Sequence, residues 1–253
     1  MDRGNAGASA RGEKLCDACH RSACVGDDMI SWALALLVAT TAEDPSVTQT
    51  ARAWEAAVAE VKAQLQPEHP TQAQRIARLV ALDEVTRQNL WRDLWRADDP
   101  ALTPEQQRAA SMAIGERMNA IDADNTAALK ALLPADGWFR NRRDGRQVTH
   151  GAWLIVQHSA DNAFRATVLE AMRARLADGD VDAMDFALTA DRVAIHRHES
   201  QIYGSQARCI DGKLTILPMV DPDQVDARRI AIGWAKTFAE TRGDLEIGKS
   251  CTL

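Results

Sequence analysis

The sequence is poor in aromatic residues: one Tyr and four Phe stand among 253 positions, and only Trp, with seven, is well represented. Strands draw on aromatic and β-branched side chains, whereas the Ala and Leu that abound here favour helix, so an all-β fold is disfavoured. Positive charge is also scarce. The net charge of -6 leaves no surplus of Lys and Arg to neutralise a phosphate backbone, which argues against a nucleic-acid partner. Local basic patches exist, notably Arg140, Arg142, Arg143 and Arg146, but this one is interrupted by Asp144 and Gly145 and reads as a solvated turn. Cysteine is sparse and odd in number, five residues at 16, 19, 24, 209 and 251, without the spacing of a disulfide scaffold. With 46% hydrophobic content the chain is nevertheless long enough to bury a real core, as one or two domains.

No apolar run is long enough to span a bilayer. Residues 29–42, M-I-S-W-A-L-A-L-L-V-A-T-T-A, are too short. They fit the apolar core of a signal peptide, with Ala39 to Ala42 as a cleavage region, although a positive segment ahead of them is missing. The first 28 residues carry neither helical nor strand periodicity and read as a non-native extension ahead of a true start at Met29, or else as a disordered leader. The expected location is therefore periplasmic or secreted, with cytoplasmic as the alternative, and the mature chain is expected to have no membrane span.

Cys16-Asp17-Ala18-Cys19-His20 matches the C-x-x-C-H pattern of haem attachment. It lies ahead of the apolar segment, however, where export would remove it or leave it on the wrong side. Cys16, Cys19, His20 and Cys24 offer four zinc donors, but adjacent Cys19 and His20 cannot readily take two corners of one tetrahedron. His196-Arg197-His198 reads as a solvated helix end with no carboxylate at helical spacing to complete a site. No cofactor and no metal are expected.

Beyond residue 43 the apolar spacing predicts helices. Residues 47–66 form the first, with Ala53, Trp54, Ala57, Val58, Val61 and Leu65 on one face and a linker at Pro67 and Pro70. Thr71 caps a second, to about residue 96, burying Ile76, Leu79, Val80, Val85, Leu90, Leu94 and Trp95. Thr103-Pro104-Glu105-Gln106 is a capping box opening a third, to 133 with a possible break near Ala123. In the loop 134–145, Trp138 and Phe139 should plug the adjoining core. Helices follow at 147–159, 161–177 and 181–195, then a β-hairpin turning on Asp211-Gly212 between 207–210 and 214–217. A last helix is expected over 224–240. The layout is thus 1–28 leader, 29–42 signal peptide, 43–70 helix and linker, 71–242 helical domain and 243–253 tail; the fold class is mainly α, bundle-like, with one small C-terminal hairpin.

Several stretches are similar in order and spacing to the bacterial family catalogued as domain of unknown function 6624: Ala152-Trp153-Leu154-Ile155-Val156-Gln157-His158 with Asp161, Leu188-Thr189-Ala190-Asp191-Arg192-Val193, Gln201-Ile202-Tyr203-Gly204-Ser205-Gln206, the Asp-Gly hairpin and Val225-Asp226-Ala227-Arg228-Arg229. Asn125, Lys130 and, more weakly, Asp83 with Arg87 extend the resemblance. Departures are mild: Ser159 for Ala, an inserted Ala190, Ser200 for Pro and Ser205 for Thr. The resemblance implies a fold region and carries no activity.

On the helix at 147–161, His150, Trp153, Leu154, Gln157, His158 and Asp161 fall within roughly 140° of arc at about 100° per residue. Asp191 and Arg192, flanked by apolar residues, need partners if buried, and Gln201, Tyr203 and Gln206 are nearest in sequence. The expected pocket therefore gathers Trp153, Gln157, His158, Asp161, Arg192, Gln201, Tyr203 and Gln206 around a small polar molecule or peptide. Two other readings stand beside it: an acid-base hydrolase using His158 and Asp191, and a purely structural or interaction protein whose polar groups satisfy the backbone.

Overall fold

A computed structural model describes residues 45–64, 67–97 and 103–250. The leader, the apolar segment at 29–42, the cysteines at 16, 19, 24 and 251, and the side chains of Ala53, Leu90, Leu94 and Trp95 lie outside the described residues.

Three long helices open the domain: α1 (Pro45–Ala63), α2 (Gln72–Ala97) and α3 (Pro104–Leu132). Thr71 and Gln74 exchange bonds at the start of α2, the Thr71 amide donating to Gln74 Oε1 at 2.8 Å and the Gln74 amide to Thr71 Oγ1 at 3.2 Å. Thr103 and Gln106 repeat this capping box on α3. That helix runs unbroken past Ala123, since no Gly or Pro interrupts its second half. Trp54 and Val58 of α1, Leu82 of α2 and Ile121 of α3 form a satellite core.

The main core lies further on. After Trp138 and Phe139, both buried as plugs, a single turn α4 (Asn141–Asp144) leads into α5 (Arg146–His158), α6 (Asn162–Leu176) and α7 (Ala183–His196). The loop at 134–145 thus contains one helical turn, which Asp144 organises by accepting the Arg140 amide at 2.7 Å. The buried α5 carries Ala152, Ile155 and Val156 into a cluster with Ile76, Leu129, Val168, Met172 and Phe186. Gly151 lets α2 approach closely, for a Cβ there would sit 3.0 Å from Val80 and 3.1 Å from Ile76.

Strands β1 (Ala207–Ile210) and β2 (Lys213–Ile216) pair antiparallel in the register Ala207 to Ile216, across the Asp211-Gly212 turn. The final segment departs from the single helix expected over 224–240. A 3-10 turn at Pro222–Gln224 runs into α8 (Val225–Ala231), the chain then bends, and α9 (Phe238–Asp244) follows. Gly233 adopts φ +84°. The Trp234 amide returns to the Arg229 carbonyl at 2.9 Å, a Gly-centred helix stop that drives Trp234 into the core. Thr237 and Glu240 then restart the helix with a capping box. Beyond α9 the chain lies against β2, with the Gly248 amide on the Leu214 carbonyl at 2.8 Å and the Leu214 amide on the Lys249 carbonyl at 2.9 Å. The whole is mainly α with one small hairpin, and no helix among the described residues is long and apolar enough to cross a membrane.

Candidate functional site

The segment 201–206 has no regular secondary structure, so its backbone polar groups need side-chain partners. Asp191 of α7, fully buried, supplies most of them. Its Oδ1 accepts the amides of Ile202 at 2.7 Å and Tyr203 at 2.9 Å, and its Oδ2 accepts the Ser205 amide at 2.9 Å and hydroxyl at 2.8 Å. Gln201, also fully buried, donates to the carbonyls of Gln206 at 3.0 Å and Leu217 at 2.8 Å and accepts the Gln206 amide at 2.9 Å. From the other side Arg229 of α8 donates to the Tyr203 carbonyl at 2.6 and 2.8 Å and stacks on Trp234 at 4.1 Å. Tyr203 packs edge-on against Phe186, its ring buried. Asp191, Gln201 and Tyr203 therefore hold this loop together, and both oxygens of Asp191 are occupied.

His158, at the last turn of α5, faces elsewhere. Its Nδ1 lies 2.7 Å from Oδ1 of the buried Asp83 and 2.9 Å from Nε of Arg87, both on α2. One ring nitrogen cannot donate to Asp83 and accept from Arg87 together. The proton on Nδ1 goes to the carboxylate, and the Arg87 N–H turns to the same Asp83 oxygen at 3.2 Å. Arg87 also grips Asp122 of α3 at 2.8 and 3.0 Å. Burial raises the Asp122 carboxyl above its usual range, against the pull of Arg87. The residues named from sequence thus separate: Asp191, Gln201, Tyr203 and Gln206 meet at the loop, and His158 joins α2 instead, which Arg87 ties to α3.

Trp153 and Gln157 turn towards α7. The Trp153 indole donates to the Asp185 carbonyl at 2.9 Å and to Thr189 Oγ1 at 3.1 Å, and Gln157 Nε2 donates to Thr189 Oγ1 at 2.8 Å. Asp161 caps α6 through the Phe164 amide at 2.8 Å and pairs with Lys130 at 2.6 Å. The Lys130 bond holds its carboxyl below the usual range.

Two arginines meet where α5 ends. Arg192 of α7 donates to the Gln157 carbonyl at 2.9 Å, and Arg165 of α6 bonds the Ser159 carbonyl and Asn162 Oδ1. The negative end of α5 draws them there. Neither makes an ion pair among the described residues, and the Nε of each is buried without a partner. Burial, and then each other's charge or that of Arg87, lowers the basicity of both guanidiniums. They line a cleft of about 850 Å³ with His196, His198, Gln206 and Arg208, in which Glu199 is the one acidic lining residue. Of the residues named from sequence, this cleft contains Arg192 and Gln206. Arg165 went unnoticed because on α6 it reads as an ordinary exposed helix arginine; its position four residues after Asp161 was the available signal.

A mainly helical domain whose late loop is locked by a helix carboxylate and an arginine, beside a basic cleft, is the class these observations define. A family model described as a family of unknown function, DUF6624, matches residues 102–242, and the chain belongs to that family. No curated protein and no solved structure matches.

Proposed function

We propose that this chain is an exported helical domain that binds a small anionic molecule, or a peptide bearing a carboxylate or phosphate, in the cleft lined by Arg165, Arg192, Arg208 and Gln206. The observation that carries this reading is the pair of largely buried guanidiniums without a carboxylate partner. Like charges held together out of water cost free energy until a counter-charge arrives, and a guanidinium presents five donors, of which Arg192 has one engaged by a main-chain carbonyl. An anion here would meet those spare donors with charge-assisted bonds.

Thermal unfolding in the presence of phosphate, citrate and acidic dipeptides tests it. A ligand at about 100 times its Kd adds about 2.7 kcal/mol, a rise in Tm of about 5 to 10 °C for a domain of this size. Arg192→Leu should abolish that rise. A midpoint unmoved by every anion, or moved equally in Arg192→Leu, overturns the reading.

Export is supported by the apolar segment at 29–42, whose length and small-residue end fit the core of a signal peptide. N-terminal sequencing of protein from the native host should find a processed chain lacking that segment. A cytoplasmic product beginning at Met1 would count against export.

A further inference from the structure

A second histidine on α5 stands eight residues before His158, about 12 Å along the helix axis. Nδ1 of His150 lies 3.0 and 3.1 Å from the two oxygens of Asp185 on α7. The Asp185 side chain is 3% exposed and the His150 side chain 54%. The imidazole stacks on Trp153 with centroids 4.9 Å apart and 25° between planes, and the Trp153 indole is itself fixed by the Asp185 carbonyl and Thr189. The ring is therefore held at one nitrogen and along one face. With Nδ1–H directed at the carboxylate, Nε2 carries the free lone pair and has no protein partner among the described residues.

Beside the ring runs a groove of about 640 Å³ between α2 and α5, walled by Ile76, Ala77, Val80, Gly151 and Leu154. Apart from His150 its one charged lining residue is Glu84, so it repels anions and accepts an uncharged apolar chain. Gln147, one turn before Gly151 on the same lining, offers a side-chain amide as donor.

We propose that His150, positioned by Asp185, is a general base that activates water against a neutral carboxylic ester whose acyl chain occupies the groove between α2 and α5. Water gives a proton to Nε2 as its oxygen bonds to the ester carbonyl carbon. The resulting tetrahedral oxyanion collapses, the bond from carbon to the alkoxy oxygen breaks, and the imidazolium returns the proton to the departing alcohol. Ester and water become acid and alcohol, and His150 ends as it began. Asp185 is a positioning residue: it fixes the tautomer and stabilises the imidazolium. Burial pushes its own carboxyl up to about 6, while His150 pulls the other way. Asp182 raises it further and Arg146 lowers it. This site is separate from the anion cleft, and the proposal does not rest on it.

Hydrolysis of p-nitrophenyl acetate, butyrate and octanoate by the full chain tests the proposal. Turnover of the wild type should saturate above the buffer rate and fall about 10²-fold or more in His150→Gln, the usual contribution of a general base. The amide that replaces the ring can still donate to Asp185, so this variant should remain folded, which its far-ultraviolet circular dichroism checks. Asp185→Asn should lower kcat and leave KM for each ester unchanged, because the amide no longer supports the Nδ1–H tautomer with a charge while the groove itself is untouched. Ala77→Phe, at an exposed position of the groove wall, should raise KM for butyrate more than for acetate. A wild-type rate no greater than that of His150→Gln, or an acyl-length preference unaltered by Ala77→Phe, overturns the proposal.

Discussion

Asp191 has four donors arranged around two oxygens, and none of its atoms reaches solvent. Asparagine in its place would keep one acceptor oxygen and set an NH2 group against donors that need an acceptor. Bonds to a charged group contribute about 1.5 to 3 kcal/mol each, but they share one carboxylate and are not additive. Asp191→Asn should cost about 3 kcal/mol, a fall in Tm of about 6 to 12 °C, whereas Ser205→Ala, which loses one bond, should cost about 1 kcal/mol. Equal midpoints for wild type and Asp191→Asn in calorimetry would show that the loop holds without the carboxylate. Much at this scale was legible in the sequence: an Asp between Leu188 and Val193 needs partners, and the Gln-Ile-Tyr-Gly-Ser-Gln stretch was the nearest supply. What sequence could not say is that three of the loop's own amides and the Ser205 hydroxyl, rather than the side chains of Gln201, Tyr203 and Gln206, would be the partners. His158 was less legible, since Asp83 lies 75 residues away and periodicity does not say which helices become neighbours.

Among the elements, the helices at 146–196 were the most readable, each having an apolar face, and α6 and α7 also a capping aspartate, Asp161 and Asp182. The break between α8 and α9 also had its signals, Gly233 and the Thr237 capping box, which the single helix expected over 224–240 left out of account. Gly204 has two reasons to be glycine: its φ is +66°, and a Cβ there would stand 2.8 Å from the Phe238 ring and 2.9 Å from Met219 Sδ. At Gly212 the φ is +73° with nothing within 4 Å. The two positions separate conformation from crowding. Gly212→Ala should cost about 1 kcal/mol, the left-handed backbone alone, and Gly204→Ala about 2 kcal/mol or more as α9 is pushed from the loop. Chemical denaturation of the two variants gives the comparison; equal losses would mean that Phe238 and Met219 yield freely.

For the whole molecule, composition and helical periodicity were enough to give the fold class, because a mainly helical chain writes its core as a stripe on each element. The basic cleft was not legible in that way. Arg165, Arg192 and Arg208 come from three elements and acquire their character only when α5 ends between two of them. A net charge of -6 gives no hint of it, since net charge sums over a surface and a cleft is local.

The clamp on residues 201–206 sets an order on the emergence of this chain from a ribosome. Asp191 appears first and its carboxylate stays hydrated until Ser205 has been made, 14 residues later. Arg229 closes the other side 26 residues after Tyr203, and its own hold on the Thr241 hydroxyl waits 12 residues more. Until then a carboxylate and a guanidinium meant for the interior have no means of leaving water, so the helices before them can assemble while the C-terminal third cannot. Nascent chains that stop short of Thr241 would therefore carry a folded front and an open, chaperone-accessible end, and the making of residues 229–241, rather than of the helices before them, commits this domain to its final form.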